Sequence, residues 1–204
     1  MKHLKAFVIT CILLSTTGCA GLFVAGAATT VNVVTDTRTT QEMWNDNNIE
    51  FEVAGLTNKP PFQREVRITA SSYDGTVILM GQASNQDLLN QFVATIKDFK
   101  GVEKIHNQVR IKAPLSVGQI SHDSWITTKV KSALLTNGQL NGVKVKVITE
   151  DKEVFLLGYV SPEQAAIAVD VARNISGVKQ VIKAFKTGAY FGDCDRSFRF
   201  IPIT

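Results

Sequence analysis

Cysteine and histidine are the residue types best able to carry covalent or proton-transfer chemistry, and this 204-residue chain holds three of each. They are scattered. Cys11, Cys19 and Cys194 share no metal-ligand spacing, and His3, His106 and His122 stand in unrelated contexts. No Ser or Cys nucleophile motif, paired-His metal spacing or phosphate-cradling glycine loop is present. Glu150, Asp151 and Glu153 offer an acid/base cluster on paper. They fall at a hairpin turn, where acidic residues are ordinary, so neither an enzyme nor a bound cofactor or metal is expected. Asn174-Ile-Ser176 has the form of a glycosylation acceptor, but at a helix end it reads as chance. The net charge of +4 is spread out. It suits an anionic membrane surface better than nucleic acid, which asks for a dense basic patch.

The chemistry that the residues do offer is interfacial. From Ser124 to Leu135 the sequence has helical spacing, with Ile126, Val130, Ala133 and Leu134 on one stripe that must face a core. Trp125, Thr128, Ser132 and Leu135 then fall on the outward arc, flanked by Lys129 and Lys131. An aromatic side chain among small polar residues, edged by lysines, suits the headgroup level of an anionic bilayer. The alternative is that Trp125 folds back onto the neighbouring chain and the lysines are merely solvated.

The N-terminus directs the chain across a membrane. Lys2 and Lys5 precede a short apolar run, Ala6 to Leu14, and small polar residues lead to Cys19. That run is too short to span a bilayer, which takes about 20 apolar residues, and its flanks are those of a secretory signal over residues 1–18. With Cys11 leaving in the signal, an internal disulfide framework is excluded.

Two copies of one module position the candidate helix. Val66, Gly81 and Ser84 recur 77 residues later as Val143, Gly158 and Ser161. Val143, Val145 and Val147 alternate with lysines as a half-buried strand. Val154 to Leu157 form a second strand, Ser161-Pro162 opens a helix, Gly177 ends it, and Val178 to Phe185 form a third strand. A helix precedes each copy, at Asn48 to Thr57 and at Ser124 to Leu135. The fold class is therefore α+β, each unit running α-β-β-α-β with two helices on one face of a small mixed sheet. The expected boundaries are a flexible tether over 19–47, a first module over 48–113, a linker over 114–122 and a second module over 123–187. Gly81 and Gly158 are read as structural positions where a side chain would clash or φ must be positive. In the first copy Glu50 and Glu52 would repel anionic lipid, so that helix offers no membrane face and reads as structural or protein-contacting, with covering part of its sister one such role. Residues 188–204 are aromatic and aperiodic. An extra strand, a disordered tail and a reading-frame artefact are all compatible with them.

Small residues followed by Cys19 resemble the bacterial lipobox, although Thr16 stands where that motif usually has Leu. The resemblance implies cleavage before Cys19 and acylation of that cysteine, and Ala20, in place of an inner-membrane retention Asp, favours the outer membrane. The run Trp125-Ile-Thr-Thr-Lys-Val-Lys-Ser-Ala-Leu-Leu, the strand Glu153 to Gly158 and the Gly177-Val-Lys exit resemble a BON domain. Two such domains behind a lipobox are similar to the dual-BON outer-membrane lipoproteins. That resemblance implies binding of anionic phospholipid, phosphatidylglycerol in particular, through the second module. It also implies a part in envelope integrity from the periplasmic side, and gathering at division sites. Some relatives carry a haemolysin label, and envelope proteins are the alternative partners.

Overall fold

The computed structural model describes residues 38–141, 143–187 and 202–203. Cys19, the signal segment and Cys194 lie outside the described residues.

The first module runs α1 (Thr40–Thr57), β1 (Val66–Tyr73), β2 (Thr76–Ala83), α2 (Gln86–Lys97) and β3 (Lys104–Ile111). The second repeats it as α3 (Val117–Thr136), β4 (Lys146–Glu150), β5 (Glu153–Val160), α4 (Pro162–Arg173) and β6 (Gln180–Thr187). A short strand β7 (Pro202–Ile203) pairs antiparallel with β6, so part of the C-terminal extension joins the second sheet. In each module the first two strands are antiparallel and the third lies parallel to the second. The helix between the second and third strands supplies the crossover that a parallel pair needs.

Both leading helices begin earlier than their apolar periodicity suggests. Thr39 Oγ1 accepts from Glu42 N at 3.2 Å while the Glu42 carboxylate accepts from Thr39 N at 2.6 Å. Ser116 and Gln119 make the same reciprocal bonds. These capping boxes satisfy the orphan amides of a first turn that is polar and therefore shows no apolar stripe. Residues 40–47, expected as tether, are thus helical, and so are residues 117–122 of the expected linker. Leu115, just before the second box, is buried.

Each hairpin turns on two residues with positive φ. Asp74 and Gly75 lie at 52° and 69°, and Asp151 and Lys152 at 52° and 65°, which matches the right-handed strand twist. A buried aspartate on the leading helix braces each turn. Asp46 accepts from Asp74 N at 2.8 Å, from Gly75 N at 3.2 Å and from the Ser72 hydroxyl at 2.6 Å. Asp123 accepts from Asp151 N at 2.7 Å and from Lys152 N at 3.0 Å.

The helices cover one sheet face per module. Val77 and Leu79 pack with Ile49, Val53, Phe92 and Ile96. Val154 and Leu156 pack with Ile126, Val130, Ala168 and Ala172. The opposite faces meet each other: Ile78 and Met80 form one buried cluster with Phe155, Leu157, Ile182 and Ala184. Both modules fall within one compact unit. Burial on both faces explains why β2 and β5 read as continuous apolar runs instead of alternating ones. Each large side chain in that seam contributes about 1.5–3 kcal/mol by leaving water.

The paired glycines allow the first two strands of each module to approach. Gly81 has φ 133°, and a Cβ there would lie 2.0 Å from Arg67 O; Gly158 has φ 147°, and its Cβ would lie 2.6 Å from Lys144 O. Besides β7, the first strands of the two modules differ. β1 is paired from Val66 onward, whereas β4 enters its ladder only at Lys146. Val143–Val145, expected as strand, therefore lie outside it.

Candidate functional site

Helix α3 presents two faces. Ile126, Val130 and Leu134 are buried in the second core, Ala133 is half-buried, and Thr127 Oγ1 bonds Thr149 Oγ1 at 2.7 Å. The other face is open. Trp125 is 61% exposed and Leu135 79%, with Thr128, Lys131 and Ser132 exposed between them. Thr128 Oγ1 donates back to Ser124 O at 3.0 Å, so its methyl rather than its hydroxyl is left for contact. Lys129 is half-buried, and its Nζ donates to the carbonyl of Ser176. Its charge stays at the edge of the face but is tied to the α4 exit, and Lys131 enters no ion pair among the described residues. Trp125 thus does not fold back onto its neighbours, and the six residues singled out lie on or beside one surface.

The first module's helix contacts its sister and also keeps an open face. Glu50 does face the sister module, accepting from Lys146 Nζ there at 2.8 Å, and it also accepts from Ser72 N of its own module at 2.9 Å. Yet α1 also carries an exposed apolar stripe, with Trp44 at 65% and Phe51 at 76%. They are seven residues apart and so lie nearly in line. Trp44 falls in the turn that periodicity left out of the helix, and the capping box at Thr39 is the signal that would have brought it in.

The acidic residues of the β4–β5 hairpin are not a solvated turn. Glu150 and Glu153 are buried against the first module, whose Arg67 pairs with Glu150 and whose Arg110 pairs with Glu153 at 2.9 Å. Lys112 Nζ reaches Asp151 at 2.8 Å. Burial pushes the Glu150 carboxyl above its usual value, against the opposing pull of Arg67. These carboxylates each hold a cation across the seam. Among the described residues no cluster of His, Cys, Asp and Glu is placed to hold a metal ion, and no helix is long and apolar enough to cross a membrane.

A half-open cleft of about 640 Å³ lies where the two modules meet, at the C-terminal end of α3. Met43 and Glu50 of α1, Ile78 of β2, Leu135 of α3, the Val143–Lys146 segment and Leu157 line it.

The BON domain family matches residues 45–113 and 122–189. The chain is 42% identical over 170 residues to "Outer membrane lipoprotein DolP" of Haemophilus influenzae, covering 83% of this chain and 88% of that protein. It is 42% identical over 149 residues to "21 kDa hemolysin" of Actinobacillus pleuropneumoniae, covering 72% of this chain and 77% of that protein. A 66-residue stretch, 32% of this chain and 33% of the relative, is 42% identical to "Osmotically-inducible protein Y" of Escherichia coli.

Proposed function

Because this chain belongs to the BON-domain family, and because a relative matched over most of its length is named an outer membrane lipoprotein, we propose that it is a lipoprotein of the outer membrane, acylated on Cys19. Its body faces the periplasm and lays the outer face of α3 on anionic phospholipid, phosphatidylglycerol being the expected headgroup. It acts without catalysis, supporting the envelope and gathering at division sites. The observation that carries this reading is the open Trp125–Leu135 face backed by the buried Ile126, Val130 and Leu134 stripe. A bilayer can receive that face without any change in the fold. Trp sits well at the headgroup level, and each cation near an anionic surface adds about 1 kcal/mol. Acyl chains on Cys19 would hold the chain at the membrane, since each buried CH₂ adds about 0.8 kcal/mol.

The test is cosedimentation of the mature chain carrying Cys19→Ser with vesicles. Binding to phosphatidylglycerol vesicles that weakens with salt, and its absence with zwitterionic vesicles, is the expected result. Equal binding to both, or to neither, would remove the lipid reading.

A second reading, contact with an envelope protein, is favoured by the α1 stripe. Trp44 and Phe51 are exposed on a helix that carries no basic residue and whose exposed charge, Glu52, is acidic. That suits a basic protein surface better than anionic lipid. Loss of a crosslink to the same envelope protein in Trp44→Ala and Phe51→Ala, but not in Trp125→Ala, would favour it.

A further inference from the structure

We propose that the cleft between the modules is a binding site for a single anionic amphiphile, its acyl chain against the module seam and its headgroup at Lys144. The floor reaches Ile78, Leu157 and Ala184, which are members of the buried inter-sheet cluster. An acyl chain entering there would therefore lie against Met43, Leu135, Val143 and Val145, with the closed seam beneath it. Val143 and Val145 wall the cleft because their segment leaves the ladder that its counterpart in β1 keeps. This departure of β4 from the pattern of β1 is thus what lines the cavity. Gly158 lines the cleft too, and a Cβ there would strike Lys144 O.

Charge selects the ligand class. Three cations and two carboxylates line the cleft. Asp46 is taken by Arg38 at 2.8 Å and Glu50 by Lys146 at 2.8 Å. Lys144 is exposed and enters no ion pair among the described residues. An apolar floor with one uncommitted cation at its rim fits an anionic head on one chain, and about 640 Å³ lies within the usual range for small-ligand sites. Leu135 belongs both to the outer face of α3 and to the cleft lining. The source of the ligand is accordingly the bilayer against which α3 rests, and to that extent the inference rests on the lipid reading of that helix.

The probe is monomeric lyso-phosphatidylglycerol with a photoreactive group at the end of its acyl chain, added to the mature Cys19→Ser chain. Adducts are expected on Met43, Val143, Val145 or Leu157. Val145→Trp, which fills the cleft, should cut them at least about tenfold, the loss of roughly two buried methylenes' worth of contact. It should leave cosedimentation with phosphatidylglycerol vesicles unchanged. Lys144→Glu, an exposed change that leaves the core alone, should also lower the yield and guards against misfolding of Val145→Trp. Adducts confined to Trp125, Thr128 and Ser132, or none at all, with vesicle binding intact would overturn the cleft site and leave the surface reading standing. Cleft adducts in a chain that ignores vesicles would support the site while removing the surface reading.

Discussion

Arg67 of the first module holds the buried carboxylate of Glu150 in the second, so the seam between the modules is charge-matched as well as apolar. Removing one partner of a buried pair leaves an uncompensated charge. Arg67 keeps some contact with water, so Arg67→Met should cost about 2–3 kcal/mol at neutral pH, below the range for fully buried pairs. Urea melts measure it, and Glu150→Gln in the same chain should recover most of the loss.

The pH dependence of that loss has a fixed sign. Burial raises the Glu150 value above 4.5, so its contribution to stability is present below 4.5 and is lost as pH rises through the raised value. Removing Arg67 raises it further. The destabilisation by Arg67→Met should therefore shrink as pH falls toward 4.5, and a penalty constant with pH would contradict the assignment.

His106 titrates in the opposite sense. Burial, and then the charge of Lys104, hold its imidazole below 6.5. The folded chain resists the proton that the unfolded chain accepts, so stability is present above 6.5 and is lost as pH falls through the lowered value. His106→Asn should flatten the stability profile between about pH 7.5 and 5.5. An unchanged profile would count against it.

Asp123 and Asp46 brace their hairpins from equivalent positions, 77 residues apart. Asp123→Ala should cost about 2–3 kcal/mol by leaving two amides of a positive-φ turn without their acceptor. A thermal melt unaltered by the substitution would show that water replaces the carboxylate.

Much of this architecture is legible in the sequence, because Gly81 and Gly158 and the strands around them recur at one offset. The open face of α3 is legible for a similar reason: Ile126, Val130 and Leu134 bury one stripe and leave Trp125 on the other side. The helix starts were missed because a polar first turn has no period, although Thr39/Glu42 and Ser116/Gln119 carry the capping signal. Of the seam, only a covering role for α1 is legible; its sheet-to-sheet contacts are not. Ile78 and Phe155 look like core residues whatever covers them, and only the folded chain joins Arg67 to Glu150. For the same reason Lys129 gave no sign of its bond to Ser176, 47 residues away.

Gly81 and Gly158 should be intolerant to unequal degrees. A Cβ at Gly81 approaches a carbonyl oxygen more closely than one at Gly158, 2.0 Å against 2.6 Å. Gly81→Ala should therefore lower Tm more than Gly158→Ala, each by strain at positive φ that costs about 1–3 kcal/mol before the clash is counted. Equal small losses would mean that the strands can separate at no great cost.

The most direct test of the account compares Trp125→Glu with the otherwise unaltered mature Cys19→Ser chain in cosedimentation with phosphatidylglycerol vesicles. Trp125 lies outside the core, so its replacement should leave Tm nearly unchanged while weakening binding by about tenfold or more, through lost insertion and added repulsion. Lys131→Glu should remove most of the salt-sensitive part, because attraction between exposed charges is screened within about 10 Å at 0.1 M salt. Ile126→Glu, which forces a charge into the core, supplies the unfolded control. Undiminished binding by a folded Trp125→Glu chain would contradict the assignment of this helix as the membrane-contact face.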